Sequence, residues 1–110
     1  MRHEVREEGQ ALVVTLAGEV DLETSPDARR VLLDAVGRKR PVLVDLSGVE
    51  YIDSSGMASL VEALQQAKRN GQVLALVAVS EAALRVLRLA RLDQVFPVRG
   101  AVDEVLAALR

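Results

Sequence analysis

The sequence predicts an α/β fold: a central, mostly parallel or mixed sheet of about four to five strands with about four helices and an N-terminal edge hairpin. Three observations predict it. Short apolar runs alternate along the chain with segments whose apolar residues recur at helical spacing. Gly, Asn and Pro punctuate the joins between them. Half of the 110 residues are apolar and 27% are charged, a balance that suits a packed core and argues against disorder. Residues 1–110 are expected to form a single domain.

Glu4 to Glu8 and Ala11 to Ala17 read as extended runs joined at Gly9-Gln10, a hairpin with the first strand on an edge. Ser25-Pro26 reads as a cap followed by a first-turn proline. Ala28, Val31, Leu32 and Ala35 then form one helical stripe that ends at Gly37. Pro41 to Leu46 is a short apolar strand, after which Ser47 to Ile52 carries the chain onward. Met57, Leu60, Val61, Leu64 and Ala67 form the buried stripe of a second helix, from about Ser54 to Asn70. Val73 to Val79 is continuously apolar, as in a strand covered on both faces. Ser80 caps a third helix through Leu89, Gln94 to Val98 reads as a final strand, and Ala101 to Leu109 as a last helix with Val102, Val105, Leu106 and Leu109 on one side. This alternation implies right-handed crossovers. Function in such sheets gathers at the carboxyl ends of the strands, here the loops Glu19 to Asp21 and Asp45 to Gly56.

Composition excludes several classes of activity. Tyr51 and Phe96 are the only aromatics, too few for a base-stacking platform. A net charge of −2 provides no drive toward nucleic-acid phosphates or anionic lipid. With no cysteine there is no disulfide, thiolate metal site or catalytic thiol. His3 is the only histidine and lies at the terminus, poorly placed for a Ser-His-Asp triad. No phosphate-cradling glycine loop and no GxSxG is present. The acids Glu19, Asp21, Asp45 and Asp53 read as strand-end and cap residues rather than a cation site, so neither a metal nor a cofactor is expected. The charged start and the lack of a long apolar run point to a soluble, cytoplasmic chain. Arg85, Arg88 and Arg91 read as a solvated face of the third helix. Val86, Leu89 and Ala90 make that helix apolar on more than one side, which fits a broad core stripe or a dimer or partner patch.

The informative stretch runs from Val44 to Asp53-Ser54-Ser55-Gly56. It follows a buried strand and opens a helix, so Asp53 or Ser54 can cap that helix and Ser55 falls in its first turn. Read alone, the stretch is a capping pair followed by a glycine that relaxes a tight approach. Its functional reading is a phosphoacceptor serine, because a first-turn hydroxyl is exposed and the helix N-terminus tolerates an added phosphate. Gly56 would then let a kinase approach closely.

Three segments resemble one family, the STAS domains of the anti-sigma-factor antagonist type. They are Asp53-Ser54-Ser55-Gly56 with the preceding Val44-Asp45-Leu46-Ser47, then Leu16-Ala17-Gly18-Glu19-Val20-Asp21, and Arg91-Leu92-Asp93-Gln94-Val95-Phe96. Met57-Ala58 stands where the family often has Leu-Gly. The resemblance implies a binding module and phosphoacceptor substrate, not an enzyme. In this cycle the unphosphorylated form binds an anti-sigma factor that is a serine kinase and frees the sigma factor. Phosphorylation at Ser55 ends the binding, and a metal-dependent serine phosphatase restores it. The resemblance places Asp21 and Asp53 near the contact surface, Ser54 as helix cap, Gly56 beside it, and Met57, Ala58 and Ser59 at the interface rim. It implies no direct nucleic-acid or membrane partner, and a monomer or weak dimer. The alternative is a STAS subunit bracing a bacterial lipid-transport ABC complex. An enzyme or an aspartate-phosphorylated receiver is a third reading; a receiver needs a late strand-end Lys, and Arg99 stands after the last strand.

Overall fold

Side-chain parity along the strands decides how the layers stack. The computed structural model describes residues 1–109. Its elements are β1 (Arg2–Glu8), β2 (Ala11–Val20), α1 (Ser25–Gly37), β3 (Val42–Ile52), α2 (Ser54–Arg69), β4 (Leu74–Val77), α3 (Glu81–Leu89), a 3-10 turn at Leu92–Gln94, β5 (Val98–Arg99) and α4 (Val102–Leu109). Leu12, Val14 and Leu16 of β2, Val42 and Val44 of β3, and Leu74 and Leu76 of β4 share one core with the apolar stripes of α1, α2 and α3. The intervening residues Val13, Leu43, Ala75 and Val77 form a smaller core on the other face with Leu106 of α4. Both faces are thus covered, which is why these strands read as continuous apolar runs. Leu109 was expected on the apolar side of α4; its side chain lies outside the described residues.

The five strands stand in sequence order, β1-β2-β3-β4-β5. The hairpin pair β1–β2 is antiparallel and turns at Gly9, whose φ of 62° suits the residue that lacks a Cβ. All other pairs are parallel. Among the described residues the order never reverses, so they form no topological switch point and none of the ligand crevice that such a point creates.

Five sequence expectations change. Ser47 to Ile52 is not a connection but the second half of β3. Two register shifts against β2 insert extra residues there, so Leu46, Val49 and Ile52 face the core at intervals of three rather than two. Asp45 consequently sits within the strand, paired to Thr15 and Val77, and not at the sheet's carboxyl edge. The strand expected from Val73 to Val79 is confined to Leu74–Val77: Val73 is half exposed and Ala78 has φ 50°. The strand expected over Gln94 to Val98 is instead the 3-10 turn and the two-residue β5. Thr24, not Ser25, precedes α1, and its side chain makes no capping bond.

Candidate functional site

Val20 and Ile52 are register partners at the carboxyl ends of β2 and β3. The next residue on each strand is an aspartate, so Asp21 and Asp53 stand side by side at the sheet edge and each organises the start of a helix. Asp53 is the N-cap of α2. Its Oδ1 accepts the backbone N–H of Ser55 at 2.9 Å and of Gly56 at 3.1 Å. Its own N–H donates to the Val20 carbonyl at 3.2 Å, which ties the cap to β2. The expectation of Ser54 as cap is therefore corrected: Ser54 is the first residue inside the helix, and exposed.

Asp21 does the equivalent work before α1. Its Oδ1 accepts from the Glu23 N–H at 3.0 Å and the Thr24 N–H at 3.1 Å. Its N–H donates to Thr24 Oγ1 at 2.9 Å, and the single proton of that hydroxyl is shared between the Glu19 carbonyl at 3.0 Å and Asp21 Oδ1 at 3.2 Å. The Thr24 N–H, helped by the Thr24 hydroxyl and the Glu23 N–H, holds the Asp21 carboxyl below the usual carboxylate range against a smaller opposing effect of desolvation. The loop is thus tied by local bonds rather than left loose.

Ser55 lies half-buried in the first turn of α2. Its backbone N–H is taken by Asp53, and among the described residues its hydroxyl has no hydrogen-bond partner. Ser55 lines a shallow groove between α1 and α2 with Ser25, Arg29, Ser59 and Glu62. Across this groove the Arg29 guanidinium grips Glu62 with two bonds, Nε to Oε2 at 2.6 Å and Nη2 to Oε1 at 2.9 Å. The hydrogen bond from Arg29 draws the Glu62 carboxyl below its usual range, and the same bond raises the Arg29 value. Both side chains remain accessible, 55% and 40% exposed.

The remaining expected site residues separate by helix face. Ala58 is exposed and lines the groove. Met57 and Ser59 are only 4% and 5% exposed, so they pack inward rather than form a rim. The Ser59 hydroxyl lies 3.3 Å from the Ser25 and Ser55 carbonyls and sets the level of α1 against α2. Gly56 is buried, and a Cβ there would stand 2.7 Å from both Ile52 Cγ1 and the Val20 carbonyl. Its missing side chain admits the helix onto the strand ends. Among the described residues no three His, Asp or Glu side chains converge in metal-binding geometry. Two exposed apolar residues flank the aspartates and escaped the sequence reading. Leu22 follows Asp21 and is 73% exposed; Tyr51, two residues before Asp53, is 52% exposed. The available signal at Leu22 is a large apolar residue inside an otherwise polar loop; Tyr51 lies within β3 and carries no such signal.

The model of the STAS domain family matches residues 2–105. The chain belongs to the STAS domain family. Among curated relatives, the anti-sigma-B factor antagonist of Bacillus subtilis is 25% identical over 95 residues, covering 86% of this chain and 87% of its own. Among solved structures, an anti-sigma factor antagonist from Mycobacterium paratuberculosis superposes with a TM-score of 0.87 at 28% identity, over 97% of this chain and 92% of that one. A STAS domain protein of the anti-sigma-factor antagonist type from Planctomyces limnophilus gives 0.86 at 28% identity, over 96% of each chain. The five-stranded sheet, the antiparallel entry hairpin and the four helices are thus the STAS architecture. No described helix is long and apolar enough to cross a membrane.

Proposed function

We propose that this STAS domain is an anti-sigma factor antagonist switched by phosphorylation of Ser55. The observation that carries the reading is the division of labour at the start of α2. Asp53 holds the helix backbone, while the Ser55 hydroxyl has no hydrogen-bond partner among the described residues. A phosphate can therefore be added without breaking a native hydrogen bond. The names of the relatives supply the pathway class, since those proteins are anti-sigma factor antagonists.

In this reading the unmodified surface around Leu22, Asp21, Tyr51 and Ser54 docks on an anti-sigma factor that is also a serine kinase. Leu22 and Tyr51 provide apolar area, and the two aspartates shape the loops that present it. The kinase transfers the γ-phosphoryl group of ATP: the Ser55 oxygen forms a new bond to phosphorus, the bond to the ADP oxygen breaks, and the hydroxyl proton passes to a base on the kinase. The product carries an added charge of about −1.5 to −2 next to Asp53. A partner surface that accepted a neutral hydroxyl must then desolvate a dianion, and the complex dissociates. A metal-dependent serine phosphatase returns the hydroxyl with water as the acceptor. The chain is substrate and ligand in this cycle and catalyses no step of it.

The reading is tested by incubating the chain with the kinase it binds and ATP, then mapping the phosphate by mass spectrometry. Phosphate on Ser55, absent from Ser55→Ala, is expected. Phosphate on Ser54 or Thr24, or none on Ser55, would overturn the assignment.

A further inference from the structure

We propose that Arg29 is the intramolecular receiver of the phosphate on Ser55: modification draws the guanidinium off Glu62 and onto the phosphoryl oxygens. This inference rests on the reading of Ser55 as phosphoacceptor and adds to it a specific rearrangement between α1 and α2.

Three observations converge. Ser55, Arg29 and Glu62 line one groove, so a group on the serine oxygen enters the space that the guanidinium already borders. The contact of the Ser59 hydroxyl with the Ser25 carbonyl, 3.3 Å, fixes the two helices at a common level. Arg29 lies one turn beyond Ser25 on α1, and helical side chains lean toward the N-terminus, which is the direction of Ser55. Ser55 and Glu62 lie seven residues, two turns, apart on α2, so the guanidinium has to move by up to ~10 Å along the groove, a span shortened by the reach of the added phosphate, to exchange partners. Finally, its present partner is accessible. The two-bonded Arg29–Glu62 pair is solvent-exposed on both sides, so a more highly charged acceptor in the same groove can reach and compete for the fork.

A phosphate monoester competes with Glu62 for the same fork. It offers three acceptor oxygens and up to two charges, against two oxygens and one charge. Arginine's planar donors match it in a two-bond geometry. The exchange links α1 to the first turn of α2 through the modification itself and leaves Glu62 as a free carboxylate on the groove. Phosphorylation then changes the surface on both sides of the groove, not only at the serine.

The test installs phosphoserine at position 55 of the full chain by genetic encoding, so no kinase is needed. The second ionisation of the phosphate is followed by phosphorus NMR in three backgrounds: wild type, Arg29→Gln and Arg29→Lys. The other charges on α1, α2 and their leading loops, namely Asp21, Glu23, Asp27, Arg30, Asp34, Asp53, Glu62, Lys68 and Arg69, are the same in all three. Contact with Arg29 is expected to lower the wild-type value by at least about half a unit relative to Arg29→Gln. The difference should persist in about 0.5 M NaCl, where distant charges are screened within ~4 Å. Arg29→Lys should restore only part of it. A difference below half a unit, or one erased by salt, would overturn the proposal. Either result leaves the mapping of the phosphate on Ser55 untouched, whereas a phosphate mapped elsewhere would defeat the earlier reading and with it the basis of this one.

Discussion

Asp53 Oδ1 accepts the backbone N–H of Ser55 at 2.9 Å, so the residue that starts α2 also fixes the backbone of the candidate phosphoacceptor. Removing the carboxylate exposes two donors at once, those of Ser55 and Gly56. Asp53→Ala should cost about 1 kcal/mol of stability, the usual value of an N-cap. Ser54→Ala, at an exposed position inside the helix, should change stability by less than about 0.5 kcal/mol. Urea unfolding of the two variants separates them, and equal losses would return the cap to Ser54.

Gly56→Ala tests why a glycine follows the serine pair. The added methyl would meet Ile52 Cγ1 and the Val20 carbonyl at 2.7 Å and Val20 Cγ1 at 2.9 Å. Overpacking of this kind costs about 1–3 kcal/mol. The variant should therefore unfold at lower urea while its Ser55 remains a kinase substrate at temperatures where it is folded. Unchanged stability with lost phosphorylation would mean that the glycine serves kinase access instead.

Acid should weaken the fold through Asp21. Hydrogen bonds from Thr24 and Glu23 place its folded value below its unfolded value, so the folded state favours the ionised form. The stability this adds is present above the unfolded value, about pH 4, and is lost as pH falls through the folded value. Glu62 shifts in the same direction through Arg29 and adds to the same acid limb. Asp21→Asn should thus be less stable than wild type at pH 6, with the gap closing at lower pH. Urea midpoints measured between pH 6 and pH 2.5 check this, and a gap independent of pH would assign the effect to shape rather than charge.

Leu22 and Tyr51 should matter to binding and not to folding. Leu22 is 73% and Tyr51 52% exposed, so Leu22→Ser and Tyr51→Ser remove little buried area. Each should weaken the kinase complex by at least about tenfold if it is an apolar anchor, with urea midpoints near wild type. Calorimetric titration against the kinase reads the first effect. Undiminished affinity in both variants would move the docking surface elsewhere.

Much of this was legible in the sequence, and the parts that were not have physical reasons. The stripe Met57, Leu60, Val61, Leu64 and Ala67 marks α2 and its buried face, and the structure buries all of them but Val61, which is half-buried. The family resemblance also places Met57 at the interface rim. The two readings conflict, and the 3.6-residue period decides for the core. Ser47 to Ile52 went unrecognised as strand because its bulges break the two-residue alternation that identifies strands. The two-residue β5 is too short to leave a periodic signal. Asp53 and Ser55 were found because capping is local chemistry. The Arg29–Glu62 pair spans two helices and leaves no trace in the spacing of either.

The most direct measurement of the central claim is affinity capture from the native host's lysate with wild type, Ser55→Ala and Ser55→Asp as parallel baits. The account predicts that a serine-kinase anti-sigma factor is retained by wild type and Ser55→Ala and lost with Ser55→Asp. Equal retention by all three baits, or equal capture of transporter subunits instead, would contradict it and leave Ser55 as no more than a residue at the start of a helix.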